Sequence, residues 1–517
     1  MLHRVWLGNR AVIWLCVLLL PPLGLILLWM RRNSRLWTRL LGSLAAITCG
    51  ILHLFLFWGL KMEMDGGVSR PFFTFRNSAR HNAEIEKRRA QERSVDASLL
   101  QDPPPAATPA TAPDEKAKPA PDAAPAPKPA VTRAYWTEFR GPGRIGIYAE
   151  TEILADWPSG GLPLLWKRPV GGGYASVVIA DSMIFTIEQR RRREVVAAYE
   201  LDSGREKWIH GWDAEFRETL GGDGPRATPL WHEGRLYALG ATGEFRCLDA
   251  QSGKRIWSRN ILSENGAENL TWGMAASPLI VDEKVIVLPG GSGGKSVAAY
   301  NRLTGDPIWK SLDDRQAYVS PQRATLAGRR QILVVSGSRV TGLAVENGAL
   351  LWEYPWATQN GINIAQPIVT AGNRFFISAG YDHGAALVEI SAKGDAYEAR
   401  TVWQNNRMKN KFGSSVLHEG YIYGLDEAIL ACIDASTGEL KWKGGRYGYG
   451  QVLLASGRLI ISTESGDVAL VKADPEKHQE LARFPAIEGK TWNVPAIADG
   501  RLIVRNSTEM ACFRISK

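Results

Sequence analysis

The sequence predicts an all-β protein: an eight-bladed β-propeller of four-stranded antiparallel blades, preceded by a transmembrane helical hairpin and a disordered linker. Three observations support this fold class: a tryptophan that recurs every 39 to 52 residues, a turn phrase repeated before it, and two apolar stretches near the N-terminus. A repeat period of about 40 to 50 residues is typical of propeller blades. The recurring tryptophans are Trp166, Trp208, Trp257, Trp309, Trp352, Trp403 and Trp442.

Each repeat carries four short strand patterns. The turn phrase, apolar-Asp-x-x-Ser/Thr-Gly-x-x-x-Trp, is clearest in residues 201–208 and 433–442. The template unit alternates strand patterns with turns that contain Gly or Asp, and its four strand patterns are residues 228–231, 235–239, 245–249 and 255–259. Such a unit forms the four-stranded sheet of one blade.

The number of blades follows from two degenerate units, which begin near Ser176 and Ser320 and bring the count to eight. Phe484 replaces the tryptophan in the seventh unit, and the eighth reaches Lys517 after three strands. Residues 164–170 form a spare strand ahead of the first unit. We therefore expect this strand to complete the last blade and close the ring, which removes free sheet edges.

The recurring tryptophans are predicted to join the blades. Each lies on an outermost strand, where it can pack on the glycine of the preceding turn and on the neighbouring blade, burying about 150 to 250 Å². The alternative is an aromatic stack that binds a ligand.

The repeats resemble those of the PQQ-like repeat superfamily, which includes PQQ-dependent alcohol dehydrogenases and the non-enzymatic outer-membrane protein assembly propeller. Residues 136–148 (WTEFRGPGRIGIY) are also similar to the opening of bacterial PQQ-like repeat proteins of unassigned function. The resemblance covers roughly Tyr135 to Lys517. It implies the propeller fold and says little about activity.

The N-terminal region is predicted to be a membrane anchor over residues 1–62. Two apolar stretches, residues 11–30 and 40–60, contain no Asp, Glu, Lys or Arg and are long enough to cross a bilayer as helices. Four arginines crowd the connection between them, which favours a cytoplasmic loop and places the propeller in the periplasm or outside the cell. Arginines and lysines on both flanks favour the opposite orientation.

Three further segments complete the predicted organisation. Residues 63–101 form a charged juxtamembrane segment with a helix expected around 79–95. Residues 102–132 form a Pro/Ala-rich linker whose ten prolines lie between 103 and 129, a composition that cannot bury a core. Residues 133–517 form the propeller.

Charge and cysteines exclude some classes of function. The net charge of +9 is modest for 517 residues, so no nucleic-acid partner is expected. A basic run at Arg190 to Arg193 is either a solvated hairpin end or a site for an anionic partner. The cysteines lie on third strands or in the apolar stretches and are expected to be buried free thiols without a disulfide: Cys16, Cys49, Cys247, Cys432 and Cys512.

The sequence predicts no catalytic residue, no metal site and no cofactor. Resemblance to the PQQ dehydrogenases implies a pair of adjacent cysteines, a Glu/Asn/Asp set that binds calcium, and an Asp that acts as the base. The chain has no adjacent cysteines and no C-x-x-C-H motif. The G-x-S-x-G match at 290–294 is expected to be a hairpin, because strand patterns flank it on both sides. PQQ with calcium is expected only if the chain is a divergent quinoprotein.

A candidate binding site follows from propeller geometry. The segments before the first strand of each blade converge on one end of the channel and carry aromatic, cationic and amide side chains, a composition typical of recognition surfaces. Alternatively, the aromatic residues only cap the channel. The predicted residues are Tyr174, Asp223, Arg226, Trp272, Tyr318, Asn363, Lys409, Asn410, Tyr449 and Trp492.

The sequence therefore favours a membrane-tethered, non-catalytic binding or assembly scaffold outside the cytoplasmic membrane. Its expected partner is a protein or a small anionic ligand at the channel rim. The alternative is a divergent PQQ-dependent oxidoreductase. A sensor that signals through the helical hairpin is a third possibility, limited by the flexible linker.

Overall fold

The computed structural model describes residues 10–31, 35–57, 60–64, 66–67, 71–75, 78–99, 135–394 and 396–517. The chain divides into two compact units, one of residues 1–83 with 219–221 and a second of residues 84–218 and 222–517. The predicted linker, residues 102–132, lies outside the described residues.

Helices predominate in the described part of the chain before residue 100. Its elements are α1 (Arg10–Leu19), α2 (Pro21–Met30), α3 (Leu36–Phe57), β1 (Leu60–Met64), β2 (Pro71–Phe75) and α4 (Ser78–Leu99). Among the described residues, one helix is long and apolar enough to cross a membrane, over Leu36–Leu54 of α3. α4 includes the region in which the sequence predicts a helix.

The first apolar stretch is two helices instead of the single helix expected over residues 11–30. Pro21 and Pro22 occupy the first positions of α2, where proline is tolerated, but they cannot continue the hydrogen bonds of α1. Ile13 of α1 and Leu27 of α2 belong to one buried cluster, so the two helices fold back on each other. Each has ten residues and is about 15 Å long, half of the hydrocarbon thickness of a bilayer.

The ring consists of eight antiparallel sheets, as predicted. Blade 1 consists of β5 (Val178–Ala180), β6 (Met183–Arg190), β7 (Arg193–Glu200) and β8 (Glu206–Asp213), and blade 2 of β9 (Leu230–His232), β10 (Arg235–Leu239), β11 (Glu244–Asp249) and β12 (Arg255–Asn260). Blade 3 consists of β13 (Leu279–Val281), β14 (Lys284–Val287), β15 (Val297–Asn301) and β16 (Pro307–Ser311), and blade 4 of β17 (Gln322–Leu326), β18 (Arg329–Val335), β19 (Arg339–Ala344) and β20 (Leu350–Pro355). The segment 290–294 joins β14 to β15 as a hairpin.

The second half of the ring repeats this order. Blade 5 consists of β21 (Ile368–Thr370), β22 (Arg374–Ala379), β23 (Gly384–Lys393) and β24 (Ala396–Asn405), and blade 6 of β25 (Val416–His418), β26 (Tyr421–Asp426), β27 (Ile429–Asp434) and β28 (Leu440–Arg446). Blade 7 consists of β29 (Gln451–Ala455), β30 (Arg458–Ser462), β31 (Asp467–Lys472) and β32 (Glu480–Pro485), and blade 8 of β33 (Ala496–Ala498), β34 (Arg501–Arg505), β35 (Glu509–Arg514) and β4 (Leu164–Pro169). β4 pairs with β35, so the spare strand closes the ring as predicted. A fifth strand, β3 (Ile147–Tyr148), runs parallel to β29.

The recurring tryptophans lock neighbouring blades together. For five of the seven tryptophans, the turn glycine beneath the ring belongs to the following blade, and not to the preceding turn of the same blade as the sequence suggests. A Cβ on Gly305 of blade 3, for example, would lie 2.7 Å from the ring of Trp257 of blade 2. The Trp257 indole N–H also donates to the carbonyl of Arg302 in blade 3 at 3.2 Å. Phe484 packs in the same way against Gly161.

Trp352 and Trp442 are the exceptions, because blades 5 and 7 lack the Asp-x-x-Thr-Gly turn. Trp442 donates its indole N–H to the carbonyl of Asp474 in blade 7 at 2.8 Å. Trp352 lies beside the long hairpin of blade 5. Its ring stacks on Phe375 of blade 5 at 5.4 Å. Its indole N–H donates to Gln331 within its own blade at 2.6 Å.

A buried carboxyl group links blades 1 and 2. Glu194 on β7 accepts hydrogen bonds from the N–H of Ala241 at 2.8 Å and from the Trp212 indole at 3.0 Å, and its side chain is fully buried. Burial raises the pKa of Glu194 to about 7, although both hydrogen bonds act in the opposite direction. The protonated form is therefore favoured in the folded protein below about pH 7.

This pKa predicts a pH dependence of stability. A raised folded-state pKa means that the contribution of Glu194 is complete below its unfolded value of about 4.5 and is lost as the pH rises through about 7. The loss approaches about 3 kcal/mol. Urea unfolding at pH 5 and pH 8, compared between the unaltered chain and Glu194→Gln, measures it. The unaltered chain should lose more stability between these pH values than the variant, and parallel pH profiles would contradict the assignment.

Candidate functional site

Polar side chains at the start of several inner strands link neighbouring blades. Ser320 illustrates the pattern, because its Oγ accepts from the Ser277 N–H at 2.9 Å while its own N–H donates to Gln366 at 2.8 Å. The Gln366 N–H donates in turn to Ser414 Oγ at 3.0 Å. We term the eight residues at these positions the belt: Ser176, Thr228, Ser277, Ser320, Gln366, Ser414, Gln451 and Val494. The belt holds in place the loops that lead into the first strand of each blade, at one end of the channel.

The residue two positions before each belt residue lies where the preceding loop reaches the channel. We term these eight residues the rim: Tyr174, Arg226, Ala275, Tyr318, Ile364, Phe412, Tyr449 and Trp492. Five of the eight are aromatic, and all of the predicted aromatic residues except Trp272 are among them. Phe412 is missing from the prediction, although counting back from Ser414 would have found it.

Four rim residues from consecutive blades form an aromatic arc. The ring of Phe412 lies 5.6 Å from that of Tyr449 and 4.7 Å from that of Trp492. Trp492 in turn lies 5.3 Å from Tyr174. These separations are in the favourable range for tilted aromatic pairs. The arc therefore spans the loops that lead into blades 6, 7, 8 and 1.

Two lysines lie over the arc. The Lys490 ammonium is 4.3 Å from the centre of the Trp492 ring. Lys411 is 5.0 Å from the centre of Tyr449 and 4.7 Å from that of Tyr381. These are cation–π distances. Both cations thus interact with the aromatic residues of the site.

Arg226 supports a loop of the site. Its guanidinium lies 5.4 Å from the Tyr174 ring centre and 5.1 Å from that of Phe216, and it donates to the carbonyls of Gly224 at 2.6 Å and Gly222 at 2.7 Å. Burial lowers the pKa of Arg226. Since two of its donors are used by the backbone, Arg226 contributes mainly to the shape of the rim.

Carboxylates balance these cations. Glu464 accepts from the Trp492 indole at 2.8 Å and from the Tyr449 N–H at 3.2 Å. Glu427 accepts from the Tyr449 hydroxyl at 3.1 Å. Burial raises the pKa of Tyr381 to about 12, so this phenol stays protonated. The site therefore combines aromatic rings with charges of both signs.

Two predicted amide residues lie in the packing between strands and loops. Asn363 donates to the carbonyl of Ser336 at 2.9 Å, and Asn410 donates to the carbonyl of Leu425 at 3.1 Å. Both side chains are buried. They satisfy backbone groups next to the rim and are not part of its surface.

The other predicted residues lie beside the rim. Asp223 accepts from the Glu218 N–H at 3.2 Å, and the Lys409 ammonium donates to Asp382 at 3.3 Å. Trp272 packs on the rim residue Tyr318 at 5.7 Å.

Residues 135–153, termed the lead-in, run into the channel from the end opposite the rim. The Tyr135 hydroxyl donates to Asp181 in the turn after β5 at 3.3 Å. The Ile153 N–H donates to Ser456 in the turn after β29 at 3.2 Å. Between these points, Trp136 pairs with the inner strand of blade 1. The sequence did not predict this arrangement.

Arg144 of the lead-in reaches the start of the inner strands. It donates to the carbonyls of Pro321 at 2.8 Å and Ser277 at 3.2 Å, and also to that of Pro278. Its side chain is 1% exposed and forms an ion pair with the buried Glu138 at 3.1 Å. Arg144 thus binds blades 3 and 4 from inside the channel.

Arg140 does the same on the other side of the channel. It donates to the carbonyls of Ser415 at 3.1 Å and Val452 at 3.3 Å, in blades 6 and 7. Burial lowers its pKa to about 10. Gly146 has a φ of 74°, and a Cβ there would overlap the Arg140 guanidinium. The lead-in therefore closes the channel and leaves the rim accessible from one side.

The arginines of the basic run in the first blade each have a carboxylate partner, and three of them, Arg191, Arg192 and Arg193, remain more than half exposed. Arg190 forms ion pairs with Glu188 at 2.9 Å and Glu206 at 2.6 Å. Arg191 pairs with Glu86 of α4 at 2.7 Å. The remaining two pairs are Arg192 with Glu215 and Arg193 with Asp213.

Comparison with known proteins identifies the fold. The family model described as outer membrane protein assembly factor BamB matches residues 192–444, from the first blade to the sixth. The structure of BamB from Moraxella catarrhalis aligns with a TM-score of 0.51 at 14% identity, covering 68% of this chain and 100% of that one. The chain has the fold of the PQQ-like propellers. A second PQQ-like propeller of this shape is quinohemoprotein alcohol dehydrogenase ADHIIG from Pseudomonas putida HK5, with a TM-score of 0.51 and 14% identity over 74% of this chain and 80% of that one.

Two relatives of this PQQ-like propeller are outer membrane protein assembly factors BamB. The protein from Yersinia pestis is 21% identical over 285 residues, which are 51% of this chain and 67% of the relative. The protein from Shewanella oneidensis is 22% identical over 312 residues, 57% of this chain and 75% of the relative.

A calcium-bound quinone would require oxygen-bearing side chains gathered around the metal. In the described part of the chain, no group of three or more His, Cys, Asp or Glu side chains is arranged to hold a metal ion. The rim carboxylates Glu427 and Glu464 are engaged by Tyr449 and Trp492.

Proposed function

We propose that this PQQ-like propeller is a non-catalytic scaffold that binds a partner polypeptide at the rim. The aromatic arc of Phe412, Tyr449, Trp492 and Tyr174 is the observation that carries this proposal. The few residues that dominate the binding energy at protein interfaces are enriched in Trp, Tyr and Arg. The relatives named as outer membrane protein assembly factors support a protein as the partner.

A polypeptide fits the charges of the rim better than a small anion does. Lys490 and Lys411 lie on aromatic faces, and Arg226 donates to carbonyl groups. Glu464 and Glu427 add negative charge in the same place. A surface with both signs and several aromatic rings suits a segment of protein chain. Because Arg140 and Arg144 close the channel, such a segment approaches from the rim side and does not thread through the ring.

We further propose that α3 tethers the ring to the cytoplasmic membrane, with the ring in the periplasm or outside the cell. α3 is the apolar helix of suitable length. The arginines before it favour a cytoplasmic start, as the positive-inside tendency requires. A divergent quinoprotein oxidoreductase is the alternative, and it is less favoured because the described residues contain no group of three or more His, Cys, Asp or Glu side chains that could hold a metal ion.

Photo-crosslinking in cells tests the rim as the binding site. A benzophenone amino acid placed at Phe412 or Tyr449 of the full-length protein is expected to capture the same polypeptide from both positions. Leu481 on the outer strand β32 is 40% exposed and serves as the control position, from which no such adduct should form. The absence of an adduct from both rim positions, or an equal yield from Leu481, would contradict the proposal.

A further inference from the structure

One face of α4 carries a pattern of charges that matches a groove on the ring. Glu86, Arg89 and Glu92 are spaced by three residues, so they share one side of the helix, and Ile85 lies next to this side, four residues before Arg89. Ile85 is 5% exposed and therefore packed within the unit that contains the ring. The face presents negative, positive and negative charge in order.

The groove lies where the ring closes, between the outermost strands of blade 8 and blade 1, and we term it the seam. Glu86 accepts two hydrogen bonds from Arg191, at 2.7 and 2.9 Å. Arg89 forms an ion pair with Glu206 on β8 at 2.7 Å.

The third pair completes the match. Glu92 accepts from Arg168 on β4 at 2.5 Å. The seam therefore presents positive, negative and positive charge opposite the helix. A shift of the helix by one turn would place like charges together, which is unfavourable. The three pairs thus select one register of this helix.

A series of ion pairs connects the seam to the rim. Glu206 pairs with Arg190 at 2.6 Å, and Arg190 pairs with Glu188 at 2.9 Å. Glu188 accepts from the N–H of Gly171, which begins the loop that carries the rim residue Tyr174. Each member of this series contacts the next.

We propose that the seam is a binding site for a charged helix, that its occupant is this chain's own residues 84–92, and that docking of this helix holds the rim loop 171–174 in place. The three ion pairs determine which helix binds in the seam. The contacts from Glu206 to Gly171 couple the bound helix to the position of the rim loop. Release of the helix frees Glu206 from Arg89 and loosens the hydrogen bond to the Gly171 N–H. This inference does not depend on what the rim binds.

Labelling of a cysteine at Ile85 in the full-length protein tests the docking. Ile85→Cys should react with maleimide slowly, and adding Glu92→Arg or Arg168→Glu should speed the reaction at least tenfold because like charges then face each other. Combining Glu92→Arg with Arg168→Glu should restore slow labelling. Arg329→Glu is the matched control, since Arg329 has an equivalent surface partner, Glu346, on blade 4 and should leave the rate unchanged. Equal rates in all variants, or no restoration by the double exchange, would overturn the docking.

Hydrogen exchange tests the link to the rim. Peptides that contain residues 171–174 should exchange faster in the Arg168→Glu protein than in the unaltered protein, and at the original rate in the double exchange. Unchanged exchange in a variant whose Ile85→Cys site labels rapidly would overturn the link. A rim that binds no polypeptide would leave both measurements unaffected.

Discussion

Replacing Arg144 by alanine is expected to lower the free energy of unfolding by about 3 to 5 kcal/mol. The guanidinium is buried in the channel, where it donates to carbonyls of blades 3 and 4 and pairs with Glu138. Its removal leaves buried carbonyl groups without a donor and Glu138 with one fewer cation, and both changes are costly. Urea unfolding of the purified protein measures the change.

Arg323→Ala is the matched control for this experiment. Arg323 pairs with the same carboxylate, Glu138, at 2.6 Å, but its side chain is 50% exposed. An exposed ion pair contributes little, so the control should lose at most about 1 kcal/mol. Equal losses in the two variants would show that the lead-in does not hold the ring together.

The second large effect is expected at the glycine beneath a blade-locking tryptophan. Gly305→Ala should lower the free energy of unfolding by about 2 to 5 kcal/mol. Its φ of 78° is unfavourable for alanine by about 1 to 2 kcal/mol, and the added methyl group would lie 2.7 Å from the Trp257 ring. Overpacking of this kind costs about 1 to 3 kcal/mol more.

Gly328→Ala separates these two causes. Gly328 has a φ of 75°, but a Cβ there would meet nothing within 4 Å. This control should therefore lose only the backbone contribution of about 1 to 2 kcal/mol. If both variants melt at the same temperature, the contact between the glycine and the tryptophan of the previous blade does not support the ring.

The ring itself could be predicted from the sequence because the features that specify a blade lie within one repeat. Short strands and tight turns recur in each unit, so the repeat period determines the blades. The missing fourth strand of the last blade could be supplied only by the spare strand around Trp166, and β4 occupies that place. The prediction that Phe484 stands at the tryptophan position is wrong by two residues: Ala482 occupies that position in the strand register, opposite Leu470, and Phe484 lies opposite Val468.

The partner of each tryptophan could not be derived in the same way. Gly204 stands four residues before Trp208 in the sequence, which suggests that the two are in contact. In the ring, a Cβ on Gly204 would meet Trp166, and Trp208 lies over Gly253. The glycine and the tryptophan of one repeat phrase are close in sequence, but each contacts a residue of a neighbouring blade. These contacts depend on how adjacent blades pack in the ring, which the sequence pattern does not give.

The candidate site was predicted in part. The convergence of the loops on the channel identifies Tyr174, Arg226, Tyr318, Tyr449 and Trp492, since it depends only on blade order. It gives no information on which way a side chain turns, so the buried Asn363 and Asn410 were included and Phe412 was missed.

Long-range contacts explain the remaining differences. Arg140 and Arg144 lie in a Gly-rich loop, where arginine is ordinarily solvated, and the carbonyls that bind them come from residues more than one hundred positions away. The face of α4 that docks in the seam looks like any solvated charged helix in sequence. The break at Pro21 was visible, but the fold-back of α1 on α2 depends on packing of Ile13 and Leu27.

The claim that the rim binds a polypeptide is tested most directly by the affinity of the crosslinked partner for the purified full-length protein. Trp492→Ala and Phe412→Ala should each raise the Kd by at least about 30-fold, equivalent to about 2 kcal/mol for a central aromatic residue. Leu481→Ala should leave the Kd unchanged. If the rim variants bind as tightly as the unaltered protein while remaining folded, the rim is not the binding site.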